Sequence, residues 1–171
     1  QWLRSQDPPC PWDKYACSGA AMGGHLGVLQ WLRSQDPPCV WDEDACSGAA
    51  KGGHLNVLQW LRSQDPPCPW DKYACSGAAM GGHLGVLQWL RSQDPPCVWD
   101  EDACSGAANG HLNVLQWLRS QDPPCRWDIN IVKQHCFDDG PDLGVGISEM
   151  RIWVAAAEEH EANRLQTYLK Q

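Results

Sequence analysis

Apolar residues recur in a block that the chain repeats several times. In the copy at 40–68, Leu55, Leu58 and Leu61 return every three residues. Spacings of three and four residues place side chains on one face of an α-helix. The pattern therefore predicts an amphipathic helix over about 54–63.

A second short helix is predicted just before it, over 43–51. This stretch is rich in Ala, Gly and Cys, and Asp42 stands before it as a helix N-cap. Gly52 and Gly53 end it, because glycine adopts the left-handed conformation common at helix ends. The Asp-Pro-Pro sequence at 65–67 ends the amphipathic helix, since proline cannot continue one. Each copy is thus predicted to be helix, turn, helix and extended link.

The copies form a tandem array. The string QWLRSQDPPC begins at residues 1, 30, 59, 88 and 116, and residues 11–39 are identical to 69–97. Helices this short are marginal alone, so stacked copies must cover one another's apolar sides. The predicted fold is an all-α, helix-turn-helix repeat solenoid. Its predicted organisation is a partial unit with only a second helix at 1–10, four units at 11–39, 40–68, 69–97 and 98–125, and a divergent C-terminal capping region at 126–171.

The units resemble ankyrin repeats. The resemblance lies in Ala49-Ala50, Gly53-His54-Leu55 and residues 57–61, which are similar to the family's A-A-x-x-G-H-x-x-V-V-x-x-L-L segment. Residues 44–47 depart from the family's T-P-L-H, and the unit of 29 residues is shorter than the usual length of about 33. The resemblance implies an ankyrin-like solenoid with shortened β-fingers. It also implies a non-catalytic protein–protein interaction module or scaffold with an extended repeat surface.

In that family the first helices line a concave face that grips partners. Positions that differ between otherwise near-identical copies fall at the start and end of the first helix and at Gly27 against Asn56, and we interpret them as solvent-facing. The alternative is that these residues have changed by drift on a surface that binds no partner. The resemblance makes the following residues candidates for partner binding: Lys14, Tyr15, Met22, Glu43, Asp44, Lys51, Lys72, Tyr73, Met80, Glu101, Asp102 and Asn109.

The net charge of -8 argues against two kinds of partner. Nucleic-acid binders need a basic surface, and an anionic membrane repels an acidic protein. No apolar run approaches the roughly 18 residues that cross a bilayer. The sequence contains no phosphate-binding loop, nucleophile elbow or metalloprotease motif. We therefore predict no enzymatic activity, no catalytic residue and no cofactor, and we expect the partner to be another protein.

The ten cysteines recur with the unit. Cys39 and Cys46 are separated by six residues, whereas structural zinc sites use about two to four. We interpret the cysteines as buried, reduced thiols, with no metal site, in a reducing intracellular compartment. Metal binding and disulfides stay open. The alternative function is therefore a metal- or redox-responsive structural element that uses the periodic Cys and His.

Histidine and tryptophan also recur. We interpret His54 and its equivalents as structural rings bonded to the turn backbone or to a neighbouring unit. Trp60 and its equivalents in the second helices are predicted to lie in the core. Trp41 and its equivalents in the links are predicted to clamp adjacent units.

The two ends of the array differ from its middle. A solenoid that begins at 1–10 would expose an apolar edge, so we expect a longer chain or a larger complex to cover it. An accessory subunit segment within a large assembly is accordingly a further alternative function. A helix is predicted over 149–170, in which 152–157 resembles the first helix of a unit. Whether 129–136 forms a helix is left open.

Overall fold

The computed structural model describes residues 12–137 and 149–160, and these ranges contain helices, turns and links but no strand. The predicted all-α class is confirmed for this part of the chain. The helix predicted at 43–51 has those bounds, and the helix predicted at 54–63 is one residue shorter at each end. The helices are α1 (Lys14–Met22), α2 (Leu26–Arg33), α3 (Glu43–Lys51), α4 (Leu55–Arg62), α5 (Lys72–Met80), α6 (Leu84–Arg91), α7 (Glu101–Ala107), α8 (Leu112–Ser120), α9 (Ile129–Phe137) and α10 (149–160).

An aspartate sets the start of each unit's first helix. The Asp42 carboxylate accepts the backbone N–H of Asp44 at 3.1 Å, and Asp71 accepts that of Tyr73 at 2.9 Å. Such a cap satisfies an N–H group that has no partner within the helix, and its charge complements the helix dipole. The other first helices have the same cap, provided by Asp13, Asp100 and Asp128.

The turn between the two helices of a unit requires glycine. Gly53 has a φ of +77°, and a Cβ there would lie 2.6 Å from the His83 ring of the next unit. His54, His83 and His111 therefore each pack on the glycine turn of the unit before them. His111 Nε2 also lies 3.0 Å from the carbonyl oxygen of Met80. The interpretation of these rings as structural groups bonded to a neighbouring unit is confirmed at His111.

The first helices pack side by side in chain order. Helix α1 contacts α3, α3 contacts α5, α5 contacts α7 and α7 contacts α9. Helices α1, α3, α5 and α7 also pack on the second helix of their own unit. Small residues make this approach close, since a Cβ on Gly48 would lie 3.1 Å from the carbonyl oxygen of Ser18. Ala49, Leu58 and Leu61 are fully buried at these contacts. Each unit thus covers the apolar side of its neighbour.

An arginine and two tryptophans hold each link. Arg62 Nη1 donates to the carbonyl oxygen of Cys68 at 2.7 Å, and its guanidinium lies 4.0 Å from the ring centroid of Trp70. Trp70 meets Trp89 edge to face at 6.0 Å. Because Trp70 contacts both the preceding unit and its own second helix, the predicted clamp is confirmed. Arg33, Arg91 and Arg119 make the same contacts in the other links, and each of these four links contains a cis Asp–Pro bond.

The second-helix tryptophans differ from their prediction. Trp60 and its equivalents are half-buried and pack against the core from its edge, so placing them within the core was wrong. The reason is geometric, because each ring turns towards the link tryptophan. Leu58 and Leu61 fill the interior position instead.

The C-terminal region contains a fifth unit with a different sequence. Residues 129–137 form α9, whose position against α7 is that of a first helix. Trp127 and Trp153 meet edge to face at 6.0 Å, as the link and second-helix tryptophans do in the earlier units. Helix α10 therefore takes the place of a second helix, and its expected likeness to a first helix at 152–157 is wrong. The partial unit at 1–10 and the predicted helix beyond residue 160 lie outside the described residues.

Candidate functional site

Two grooves cross the first helices. The first groove has a volume of about 300 Å³ and is lined by Ser18, Met22, Asp44, Ser47, Gly48, Lys51, Tyr73, Ser76, Gly77 and Met80. The second groove has a volume of about 220 Å³ and is lined by Tyr73, Ser76, Met80, Asp102, Ser105, Gly106, Asn109 and His135. Tyr73, Ser76 and Met80 line both grooves, so the two form one surface across successive units.

The floor of the first groove is made of small residues and its walls of large ones. A Cβ on Gly77 would lie 3.1 Å from the carbonyl oxygen of Ser47, so glycine here brings two first helices together. The Ser47 hydroxyl donates to the carbonyl oxygen of Asp44 at 3.2 Å, within its own helix. Met22 is 49% exposed and Tyr73 is 53% exposed above this floor. The groove therefore offers apolar walls that an inserted side chain could contact.

Lysine–aspartate pairs join units beside the grooves. Lys14 Nζ lies 2.6 Å from Asp42 and 3.5 Å from Asp44, both in the next unit. Lys72 Nζ lies 2.5 Å from Asp100 in the same arrangement. The hydrogen bond to Asp42 raises the pKa of Lys14, and the one to Asp100 raises the pKa of Lys72. These lysines are therefore engaged with the neighbouring unit.

The lysine contact occurs at alternate unit boundaries. The second unit carries Glu43 where the first has Lys14, and the fourth carries Glu101 where the third has Lys72. In the first and third units a lysine therefore pairs with an aspartate of the next unit, whereas the second and fourth units carry a glutamate at the same position. Exposed ion pairs contribute little to stability, so their main effect is on local side-chain position.

The structure brings together seven of the twelve residues predicted to bind a partner. Lys14 and Lys72 pair with aspartates instead, and Tyr15 is 65% exposed outside both grooves. Glu43 is exposed at the start of α3, and Glu101 lines a separate cavity with Trp99 and Pro123. The residues that line the grooves are Met22, Asp44, Lys51, Tyr73, Met80, Asp102 and Asn109. Their role in binding stays a prediction.

Several groove residues were missed by comparing the copies. Ser18 precedes Met22 by four residues and so lies on the same helix face. Helical spacing could have found it, whereas sequence variation could not, because the serine is the same in every copy. His135 lies in the divergent segment, where no copy exists for comparison. The missed residues are Ser18, Ser47, Gly48, Ser76, Gly77, Ser105, Gly106 and His135.

A separate, buried set of groups consists of paired thiols. Cys46 in α3 is hydrogen-bonded to Cys68 in the link of the same unit, and this bond together with burial raises the pKa of Cys46. In the next unit the hydrogen bond between Cys75 and Cys97 lowers the pKa of Cys97. The sequence interpretation considered Cys39 with Cys46, but the structure pairs thiols within a unit. In the described ranges the cysteines are buried free thiols, and no cluster of three or more potential metal ligands occurs there.

Comparison with known proteins leaves these features unassigned. No protein-family model matches the chain, and no curated protein matches it. Within the part of the chain that the structure describes, none of the helices combines the length and apolar character needed to cross a bilayer. The function has to be inferred from the grooves and the packing of the units.

Proposed function

We propose that the chain is an ankyrin-like repeat solenoid that serves as a protein–protein interaction module or scaffold, without catalysis of its own. The observation that carries this proposal is the location of sequence differences. Two of the positions that vary between copies, those of Tyr73 and Met80 and their equivalents, line the grooves, whereas the Arg–Trp–Trp contacts that hold the links are the same in all four units. Variation on one surface above a constant framework is what a binding module requires.

The groove walls suit protein recognition. Tyr73 and Met80 are exposed, lie on a helix and line both grooves. Aromatic side chains held on rigid elements act as interface anchors, because little conformational entropy is lost when they bind. Asp44 and Lys51 add charges of both signs at the edge of the first groove. The expected partner is a protein segment that inserts an apolar side chain beside Tyr73 and pairs with these charges.

The test compares two equivalent tyrosines. Tyr73 lines both grooves, whereas Tyr15 occupies the same position in the first unit and lies outside them. The immobilised chain is used to capture and identify a binding protein, whose affinity is then measured by titration calorimetry. We expect Tyr73→Ala to weaken that affinity by about tenfold or more, which is about 1.4 kcal/mol. Tyr15→Ala should retain it within about threefold.

Folding is checked in parallel. Circular dichroism and the urea midpoint of both variants should match those of the unchanged chain, because both tyrosines are exposed. Equal loss of affinity in the two variants would reject the grooves as the binding surface. Failure of the chain to retain any protein at micromolar concentration would reject the interaction module itself.

A further inference from the structure

Each of the four repeated units contains one pair of thiols in contact. One cysteine lies in the first helix and the other in the link that ends the same unit, and in the last three of these units the first-helix Sγ donates to the carbonyl oxygen of the link cysteine. All eight are between 0% and 1% exposed. The pairs are Cys17 with Cys39, Cys46 with Cys68, Cys75 with Cys97, and Cys104 with Cys125.

Backbone contacts fix each pair. Cys68 Sγ donates to the carbonyl oxygen of Asp42 at 3.3 Å, and Cys46 Sγ donates to the carbonyl oxygen of Cys68 at 3.8 Å. Asp42 caps the helix that carries Cys46, so the link thiol is held at the first turn of that helix. The same contacts recur with Cys97 on Asp71 and Cys125 on Asp100. The thiols therefore meet because of how the unit folds, although they lie more than twenty residues apart.

Two-sulfur chemistry fits this arrangement better than a structural metal. Tetrahedral zinc requires about four ligands, whereas each site offers two sulfurs. The recurring histidine His54 packs its ring on Gly24 of the preceding unit. Two adjacent thiols can instead form a bond with one another.

We propose that each thiol pair is a site of reversible disulfide formation, driven by a small-molecule disulfide such as glutathione disulfide. In the overall reaction the S–S bond of glutathione disulfide breaks and an Sγ–Sγ bond forms within the unit. The two protein thiols lose two electrons, and two glutathione thiols leave with the two protons. The bond would tie the first helix of a unit to its own link and would leave the boundary between units unlinked.

The exchange proceeds in two steps. A thiolate attacks a disulfide sulfur to give a mixed disulfide, and the second thiol then displaces glutathione. Burial means that this exchange follows local opening of the unit, so it is slow in the native state and faster when opening is favoured.

The full chain is tested by incubation with glutathione disulfide, in native buffer and in urea below the unfolding midpoint. Remaining thiols are blocked with iodoacetamide after denaturation, and bridged peptides are sequenced by fragment ions because trypsin leaves Cys39 and Cys46 in one peptide. We expect eight thiols to be lost and four bridges to be found, each joining a first-helix cysteine to a link cysteine. Dithiothreitol should restore them. Persistence of free thiols in both buffers, or bridges that join Cys39 to Cys46, would overturn the proposal.

Two serine variants provide the matched comparison. Cys136 is also buried but donates to the carbonyl oxygen of Ala108, and it is not hydrogen-bonded to a thiol among the described residues. Cys136→Ser should leave all four bridges, whereas Cys68→Ser should lose one bridge and leave Cys46 reactive to iodoacetamide. If Cys68→Ser does not fold, the bridge map of the unchanged chain decides the question. This inference does not depend on partner binding, so either proposal can fail alone.

Discussion

The links and the first-helix surface differ in how much their residues change from one unit to the next. On the link side, Arg62 lies over Trp70, Trp70 meets Trp89, and the same contacts recur in every complete unit. On the first-helix surface, equivalent positions carry Tyr15 in one unit and Asp44 in the next. The comparison teaches that the link contacts are the same throughout the array, whereas the grooves differ in chemistry from one unit to the next within the same fold.

The largest effect is expected at the inter-helix turn. Gly53→Ala places a Cβ at a φ of +77° and 2.6 Å from the His83 ring, so both the backbone and the neighbouring unit are strained. We expect the free energy of unfolding in urea to fall by about 2 kcal/mol or more. Gly85→Ala is the control, because it lies in α6 with no atom within 4 Å of the added Cβ. It should raise stability by about 0.5–1 kcal/mol. Equal effects would show that the turn does not need glycine.

The next effect is expected in the links. Arg62→Met keeps most of the apolar stem but removes the hydrogen bond to Cys68 and the cation over Trp70. We expect a loss of about 1–2 kcal/mol in the free energy of unfolding. Lys51→Met removes a positive charge from the first-helix surface and should change stability by less than about 0.5 kcal/mol. A comparable loss in both variants would mean that net charge, rather than the link contacts, is responsible.

A smaller effect on stability is expected at the aspartates that cap the first helices. Asp71→Ala removes the acceptor for the N–H of Tyr73 and should cost about 1 kcal/mol, measured by thermal and urea unfolding. Asp42→Ala removes an equivalent cap and also the contact with Lys14, so it should cost more at low salt. The difference between the two variants should shrink as salt rises, because exposed charges are screened. An unchanged difference in high salt would assign it to something other than the ion pair.

The smallest stability effect is expected in the grooves. Tyr73→Ala removes a ring that is 53% exposed and should change the free energy of unfolding by less than about 0.5 kcal/mol. Val57→Ala, at a fully buried position in the neighbouring unit, should cost about 2 kcal/mol in the same urea titration. If Tyr73→Ala were as costly as Val57→Ala, the first-helix surface would be part of the framework and the comparison would fail.

Local sequence signals were sufficient for the elements of the four similar units. Asp42, Gly53 and the Leu55–Leu61 spacing each act within a few residues, and they predicted the helices, their caps and their turns. The fifth unit could not be predicted in this way. Its first helix lacks the Ala-Ala and Gly-His signals, and its second helix follows after an intervening stretch. The spatial meeting of Trp127 and Trp153, together with the bond from Arg151 Nε to the carbonyl oxygen of Cys136, identifies its two helices as one unit.

The candidate site was predicted only in part, because comparing copies does not show contacts between residues that are distant in sequence. Comparing copies found Tyr73 and Met80, which differ between units, but it could not find Ser76, which does not. The same comparison could not show that Lys14 is engaged by Asp42 across a unit boundary. Thiol pairing was also beyond it, because Cys46 is nearer in sequence to Cys39 than to its partner Cys68. In each case the deciding contact is tertiary rather than local.

The alternation of lysine and glutamate at the unit boundaries distinguishes removal of one unit from removal of two. Excision of 69–97 would set Glu43 beside Asp100 and Asp102, whereas the equivalent residues of the unit that now follows it are Asp71 and Tyr73. Excision of 40–97, a span of 58 residues, would set Lys14 beside Asp100 and so rebuild the junction that Lys72 already makes. Removal of two units at once therefore recreates a junction that the chain already contains, whereas removal of one unit creates a new one.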